Sequence, residues 1–363
     1  MSANRIFVSS VILAGLLSTL AAFGTVDARP GPSSADLIAL GHKLFLDPRL
    51  SQPGTVSCSS CHQPTRAFTD GRPVSIGADK RVGTRNTPSL LDVSDGEPLF
   101  WDGRRDRLEV AVLDPLTNPV EMANGDLTEV TRKLSRRSDY RAAFQRVFPG
   151  AGAISASHVG TALAAFVRSL QGGQNAFDHY RAGHTHALTA QAREGLLLFQ
   201  GKAECAGCHR LAAGRLTDGQ FHHSGVGLGD VDAHLGQLTA TAMRRDLKAG
   251  AIGSAVGQDA KLSALGRFLV SHQAVDVGAF RTPSLRNVAV TAPYMHDGSI
   301  KTLDTAVNTE IYYRGLSTGR PISLTVDERK SLLAFLRSLT AVLPTRVDQP
   351  EMASEASRAA SKP

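Results

Sequence analysis

The sequence predicts an all-α protein built from two tandem copies of one helical unit, related by a pseudo-two-fold axis. Three observations carry this expectation. Apolar residues recur at three- and four-residue spacing through 155–170 and 327–339. Aromatic residues make up only 6% of the chain and Trp101 is the single tryptophan, which argues against a sandwich of aromatic strands. A set of short landmarks also occurs twice in the same order. Gly41, Leu44 and Phe45 share a G-x-x-L-F register with Gly195, Leu198 and Phe199. Thr87-Pro88-Ser89-Leu90 recurs as Thr282-Pro283-Ser284-Leu285. Asp102-Gly103, Leu108 and Ala111-Val112 recur at identical offsets as Asp297-Gly298, Leu303 and Ala306-Val307.

Taken in order, the chain opens with an export signal. Arg5 precedes an apolar stretch over 6–23, and Val26-Asp27-Ala28 has the small-x-small character of a cleavage site, so residues 1–28 read as a signal peptide. No later stretch reaches 18 apolar residues, so no membrane span is expected in the mature chain. The first unit is expected over 29–185 and the second over 186–343, with a polar, disordered tail over 344–363. Residues 63–93 are rich in Gly, Pro and Thr and read as loop. A helix over 193–200 leads into the second C-x-x-C-H segment, and the second copy carries a longer insertion between that segment and Thr282. Inside it, Gly225-Val226-Gly227-Leu228-Gly229 resembles a nucleotide loop only superficially, because no strand is expected before it and the spacing is wrong. A length of 363 residues and a hydrophobic share of 42% allow two real cores. The net charge of +7 is dispersed, with no basic block, so a nucleic-acid partner is not expected.

The four cysteines carry the chemistry. Cys58-Ser59-Ser60-Cys61-His62 and Cys205-Ala206-Gly207-Cys208-His209 both read C-x-x-C-H, the attachment signal of c-type haem. The thiols bond to the haem vinyl groups, the short spacer fixes their separation, and the adjacent histidine ligates the iron. A zinc site made of the four cysteines would leave both histidines unexplained. A thioredoxin-like redox motif does not require histidine after the second cysteine. Each unit is therefore expected to be cytochrome-c-like, with two covalently bound haem c groups in all.

Further motifs give the chain a strong resemblance to the bacterial di-haem cytochrome c peroxidase and MauG family over about 35–340. They are residues 44–51 before the first haem motif, 67–71 (AFTDG), 100–104 (FWDGR), 118–122 (NPVEM) and 291–298 (TAPYMHDG). The resemblance implies a peroxide-reacting first haem and an electron-storing second haem. It places Trp101 between them, makes Glu121 the distal acid–base, and assigns an inter-haem calcium to Asn86 and the carbonyls of Thr291 and Pro293. Oxygen-only ligands suit that ion.

Two departures point to the MauG-type branch. Many family members close the first haem with a second histidine. Here the matching position is Ala78, and no histidine lies between His62 and Trp101. The second haem's usual methionine ligand is missing after the helix at 303–307, where the chain reads Glu310-Ile311-Tyr312-Tyr313-Arg314-Gly315. Tyr312 is the expected phenolate ligand, with Tyr313 and Met295 as rivals. Two other residues depart from the family: Ala111 stands where glutamine is common, and Ala203 where MauG has tryptophan. The implied function is periplasmic. Hydrogen peroxide, acting through high-valent iron, would oxidise an aromatic residue of a partner protein, as in quinone-cofactor maturation or copper-peptide systems. The alternatives are a peroxidase drawing electrons from a small cytochrome c or cupredoxin, and a di-haem electron carrier.

Overall fold

The computed structural model describes residues 33–342 except 94, 212, 213 and 246. The expected leader and tail lie outside the described residues. About half of the chain is helical. The one sheet among the described residues pairs two three-residue strands antiparallel, β1 (Phe221–His223) and β2 (Ala279–Arg281). No helix among the described residues is long and apolar enough to cross a membrane.

Five helices position the site: α1 (Ser34–Leu46), α2 (Ala156–Ser169), α3 (Ala190–Gln200), α4 (Leu303–Thr318) and α5 (Val326–Ser338). Each starts on a hydroxyl cap. The side chains of Ser33, Ser155, Thr189, Thr302 and Thr325 accept from backbone amides in the first turn. Helix α1 packs on α2, and α3 on α5.

The two helix pairs use the same device. At Gly41 a Cβ would collide with the Ala162 carbonyl and with Phe166 across the α1–α2 crossing. At Gly195 it would collide with the Ser331 carbonyl and with Phe335 across the α3–α5 crossing. Four residues on, the phenylalanine of each G-x-x-L-F motif meets that partner ring. Phe45 and Phe166 lie 4.9 Å apart by ring centroids, and Phe199 and Phe335 lie 5.1 Å apart. All four rings are buried. The motif is thus a packing code, in which glycine lets the helices approach and phenylalanine fills the space beside them. Apolar clusters grow around each pair, one within 40–170 and one within 177–339.

The insertion in the second half has its own apolar cluster, centred on Ile252, Val256, Leu265 and Phe268. It also reaches back to the first half. Thr84 donates to the Val256 carbonyl (2.6 Å), Arg85 to Ser263 (2.9 Å) and Asn118 to the Gly253 carbonyl (3.3 Å). One expectation needs correction: a strand, β1, does precede the glycine-rich loop. It pairs only with β2, and the glycines serve as turns, with Gly225 and Gly227 at positive φ.

Candidate di-haem active site

The two C-x-x-C-H segments each form a single tight turn, closed by the histidine amide donating to the first cysteine's carbonyl. His62 reaches Cys58 at 2.9 Å and His209 reaches Cys205 at 3.0 Å. The rings are then fixed in the same way. His62 Nδ1 lies 2.9 Å from the Phe68 carbonyl oxygen, and His209 Nδ1 lies 3.0 Å from that of Leu216. A histidine that donates Nδ1–H to a carbonyl presents Nε2 as a neutral ligand. Burial lowers the pKa of both rings, which favours the neutral form.

The repeated T-P-S-L motif also has a task here that its recurrence alone did not reveal. Ser89 donates to the Ala67 carbonyl and Ser284 to the Arg215 carbonyl, both at 2.6 Å. Each accepting carbonyl comes one residue before the one that meets the histidine. Phe68 and Leu216 both take left-handed backbone angles, so each serine fastens a turn that local propensity alone does not favour.

A cavity of about 340 Å³ opens at the second motif. Cys205, Cys208 and His209 line it with apolar side chains including Phe199, Leu303, Val307 and Leu336. Arg281 also lines it. Burial lowers the pKa of this guanidinium to about 10, the nearby Arg215 charge works in the same direction, and no carboxylate is ion-paired with Arg281 among the described residues. An apolar cleft with cysteine and histidine on its wall and a half-buried cation that lacks a carboxylate partner fits haem c, whose propionates would supply the negative charge.

Trp101, Asn86, Thr291, Pro293 and Met295 line the same cavity. Trp101 Nε1 donates to the Asn86 carbonyl, and the Trp101 carbonyl accepts from the Arg281 amide, both at 2.9 Å. The residue is therefore held from both halves of the chain, through its indole by the first and its backbone by the second. The Asn86 side-chain nitrogen donates to the carbonyls of Arg72 (2.9 Å) and Pro73 (3.2 Å), so its Oδ1 remains as the oxygen for another partner.

Glu121 is half-buried. Burial raises its pKa, Arg104 opposes the rise and Asp114 adds to it. Its charge is felt at both Cys58 and Cys61. Asn118 Nδ2 donates to Glu121 Oε1 at 2.5 Å, and the Asn118 carboxamide oxygen accepts from Val120 N at 3.1 Å, which sets the carboxylate's direction. The buried Ala78 donates its amide to the Glu121 carbonyl at 2.7 Å, so the loop at 78 packs here without an imidazole. Behind Glu121 lies a buried ionic network. Asp102, with no exposed surface, meets Arg85 (2.6 Å) and Arg104 (3.2 Å), and Asp114 meets Arg105 (2.7 Å).

Tyr312 requires correction. It is 61% exposed and is absent from the cavity wall. With Tyr313, whose ring lies 5.2 Å away, it lines a separate groove beside Val226 and Gly227. At about 100° per residue, Tyr312 lies nine positions after the cavity-facing Leu303, on the opposite side of α4. Met295 is the rival that does reach the cavity.

A family profile described as "Di-haem cytochrome c peroxidase" matches residues 35–186. The "Methylamine utilization protein MauG" of Methylorubrum extorquens is 34% identical over 89% of this chain and 83% of its own length. The chain belongs to the di-haem cytochrome c peroxidase and MauG family. The "Cytochrome-c peroxidase IdrP2" of Denitromonas iodatirespirans is 33% identical, covering 90% of this chain and 91% of that protein. Among solved structures, "a MauG-like protein associated with microbial copper homeostasis" superposes with a TM-score of 0.70 at 33% identity, over 86% of this chain and 94% of that one. Members of the family are oxidoreductases, and the family implies two c-type haems. Cys58, Cys61 and His62 would hold one, and Cys205, Cys208 and His209 the other.

Proposed function

We propose that the chain is a periplasmic enzyme that uses hydrogen peroxide to oxidise an aromatic residue of a partner protein, in the manner of MauG. Two tandem cytochrome-c-like units, 29–185 and 186–343, carry the two haems. The observation that supports this reading best is the environment of the first haem motif: a half-buried carboxylate, Glu121, is held by Asn118 and acts through its charge on Cys58 and Cys61, and Ala78 stands where a closing histidine would be. Bound haem supplies a peroxide-accepting iron and a store of oxidising equivalents. The rest falls to the protein. Glu121 takes a proton from the near oxygen of peroxide and returns it to the far one, the work of a positioned acid–base. Trp101 offers an oxidisable π-system between the two centres. Asn86 Oδ1 and the carbonyls of Thr291 and Pro293 hold calcium beside it.

Met295 on the second cavity wall favours one other reading, a peroxidase that draws electrons from a small cytochrome c or cupredoxin, because thioether ligation raises a haem's potential. Steady-state turnover with peroxide and a reduced small cytochrome c separates the two. The proposal expects slow turnover with that donor, and rapid, saturable turnover would establish the peroxidase instead.

A further inference from the structure

Helix α4 offers one face to the second cavity: Leu303, Ala306, Val307, Glu310, Ile311 and Arg314. Five of these six cannot bind iron. Four are hydrocarbon, and an arginine stays protonated and has no lone pair to give. We propose that the Glu310 carboxylate ligates the second haem's iron as the axial partner of His209, in the role the sequence suggested for Tyr312. This rests on reading the cavity at Cys205–His209 as the second haem site.

Three observations carry the assignment. First, Glu310 lines the same cavity as Cys205, Cys208 and His209, and among charged groups it acts most strongly on the Cys205 thiol. Second, the carboxylate is uncommitted: no hydrogen bond or ion pair to Glu310 occurs among the described residues. Arg314, four residues on and the natural helix partner, turns instead to Glu204 (4.0 Å) and the Cys208 sulfur (3.7 Å). The surface of Glu310 is accessible to the cavity it lines, yet burial lifts its pKa to about 7, against the opposing charges of Arg314 and His222. Binding to a ferric ion removes that cost. Third, two other donors on the wall are engaged elsewhere. His222 Nε2 is 2.8 Å from Asp218, and the His296 ring stacks on Phe280 with centroids 3.6 Å apart. A carboxylate is a hard, anionic oxygen ligand like phenolate, and so stabilises oxidised iron where a thioether stabilises reduced iron.

The test uses the full-length holoprotein, with covalent haem counted by mass. Glu310→Gln keeps the shape and removes the anion, and Glu310→Met offers a thioether at the same place. Low-temperature EPR and magnetic circular dichroism of the ferric protein report each haem's axial ligands. The expected result is loss of one haem's ligand-field signature in Glu310→Gln, appearance of histidine–methionine signals in Glu310→Met, and an unchanged first haem in both. Met295→Leu and His223→Gln should leave the signature in place. Unchanged spectra in Glu310→Gln with two haems attached would overturn the assignment, as would a shift in either control. An unmodified protein carrying one covalent haem would instead overturn the reading of the cavity itself.

Discussion

Glu121 combines burial, one directing hydrogen bond and a nearby cation, which is how a carboxyl is kept poised between its two protonation states. Glu121→Gln retains the Asn118 contact but loses the proton. Peroxide activation should slow about 10²-fold or more, as measured by stopped-flow absorbance, while haem content stays at wild-type levels. Because the folded pKa is raised, the base form is lost on acidification earlier than for an ordinary glutamate. Activation should therefore decline at a pH above the usual glutamate range, and that inflection should vanish in Glu121→Gln. Tyr312→Phe provides the contrast. With its ring directed to solvent, it should leave both haem spectra unchanged. At this scale the sequence showed residue types better than directions. The C-x-x-C-H cysteines, Glu121 and Trp101 stood out by motif. Tyr312 was favoured for its chemistry, but its angular position on α4 turns it away from the cavity, and the periodicity from Leu303 to Arg314 was the signal that showed which face lines it.

The helix pairs show what the repeated G-x-x-L-F register encodes. Glycine stands where two backbones cross, so adding one methyl group forces α1 away from α2, or α3 away from α5. Gly41→Ala and Gly195→Ala should each lower stability by about 1–3 kcal/mol, the usual cost of overpacking, seen as a reduced Tm of the holoprotein by calorimetry. If either substitution is neutral, the crossing is looser than described. Helices α2, α3 and α5 were legible because each runs for more than ten residues with an apolar stripe and a hydroxyl cap. Strands β1 and β2 were not, because three residues are too few for a period of two to be seen. Ser89 and Ser284 were visible as a repeat, but their role depends on left-handed turns at Phe68 and Leu216 that no local pattern announces.

Across the whole molecule, the two halves complete each other's sites. Gly253, from the second-half insertion, accepts from the Asn118 that directs Glu121, and Trp101 from the first half lines the cavity of the second motif. Calcium bound at Asn86, Thr291 and Pro293 would join the same two halves. Chelation should accordingly slow electron exchange between the haems and restore it on calcium addition, whereas full activity in a verified calcium-free sample would remove the ion from the account. In the proposed function, the first haem would meet peroxide through an open face beside Glu121. Mixing the resting, fully oxidised protein with one equivalent of hydrogen peroxide in a stopped-flow spectrometer tests it most directly. The expected result is rapid spectral change without prior reduction. An oxidised protein whose haems are both low-spin and inert to peroxide until an electron is supplied would contradict it.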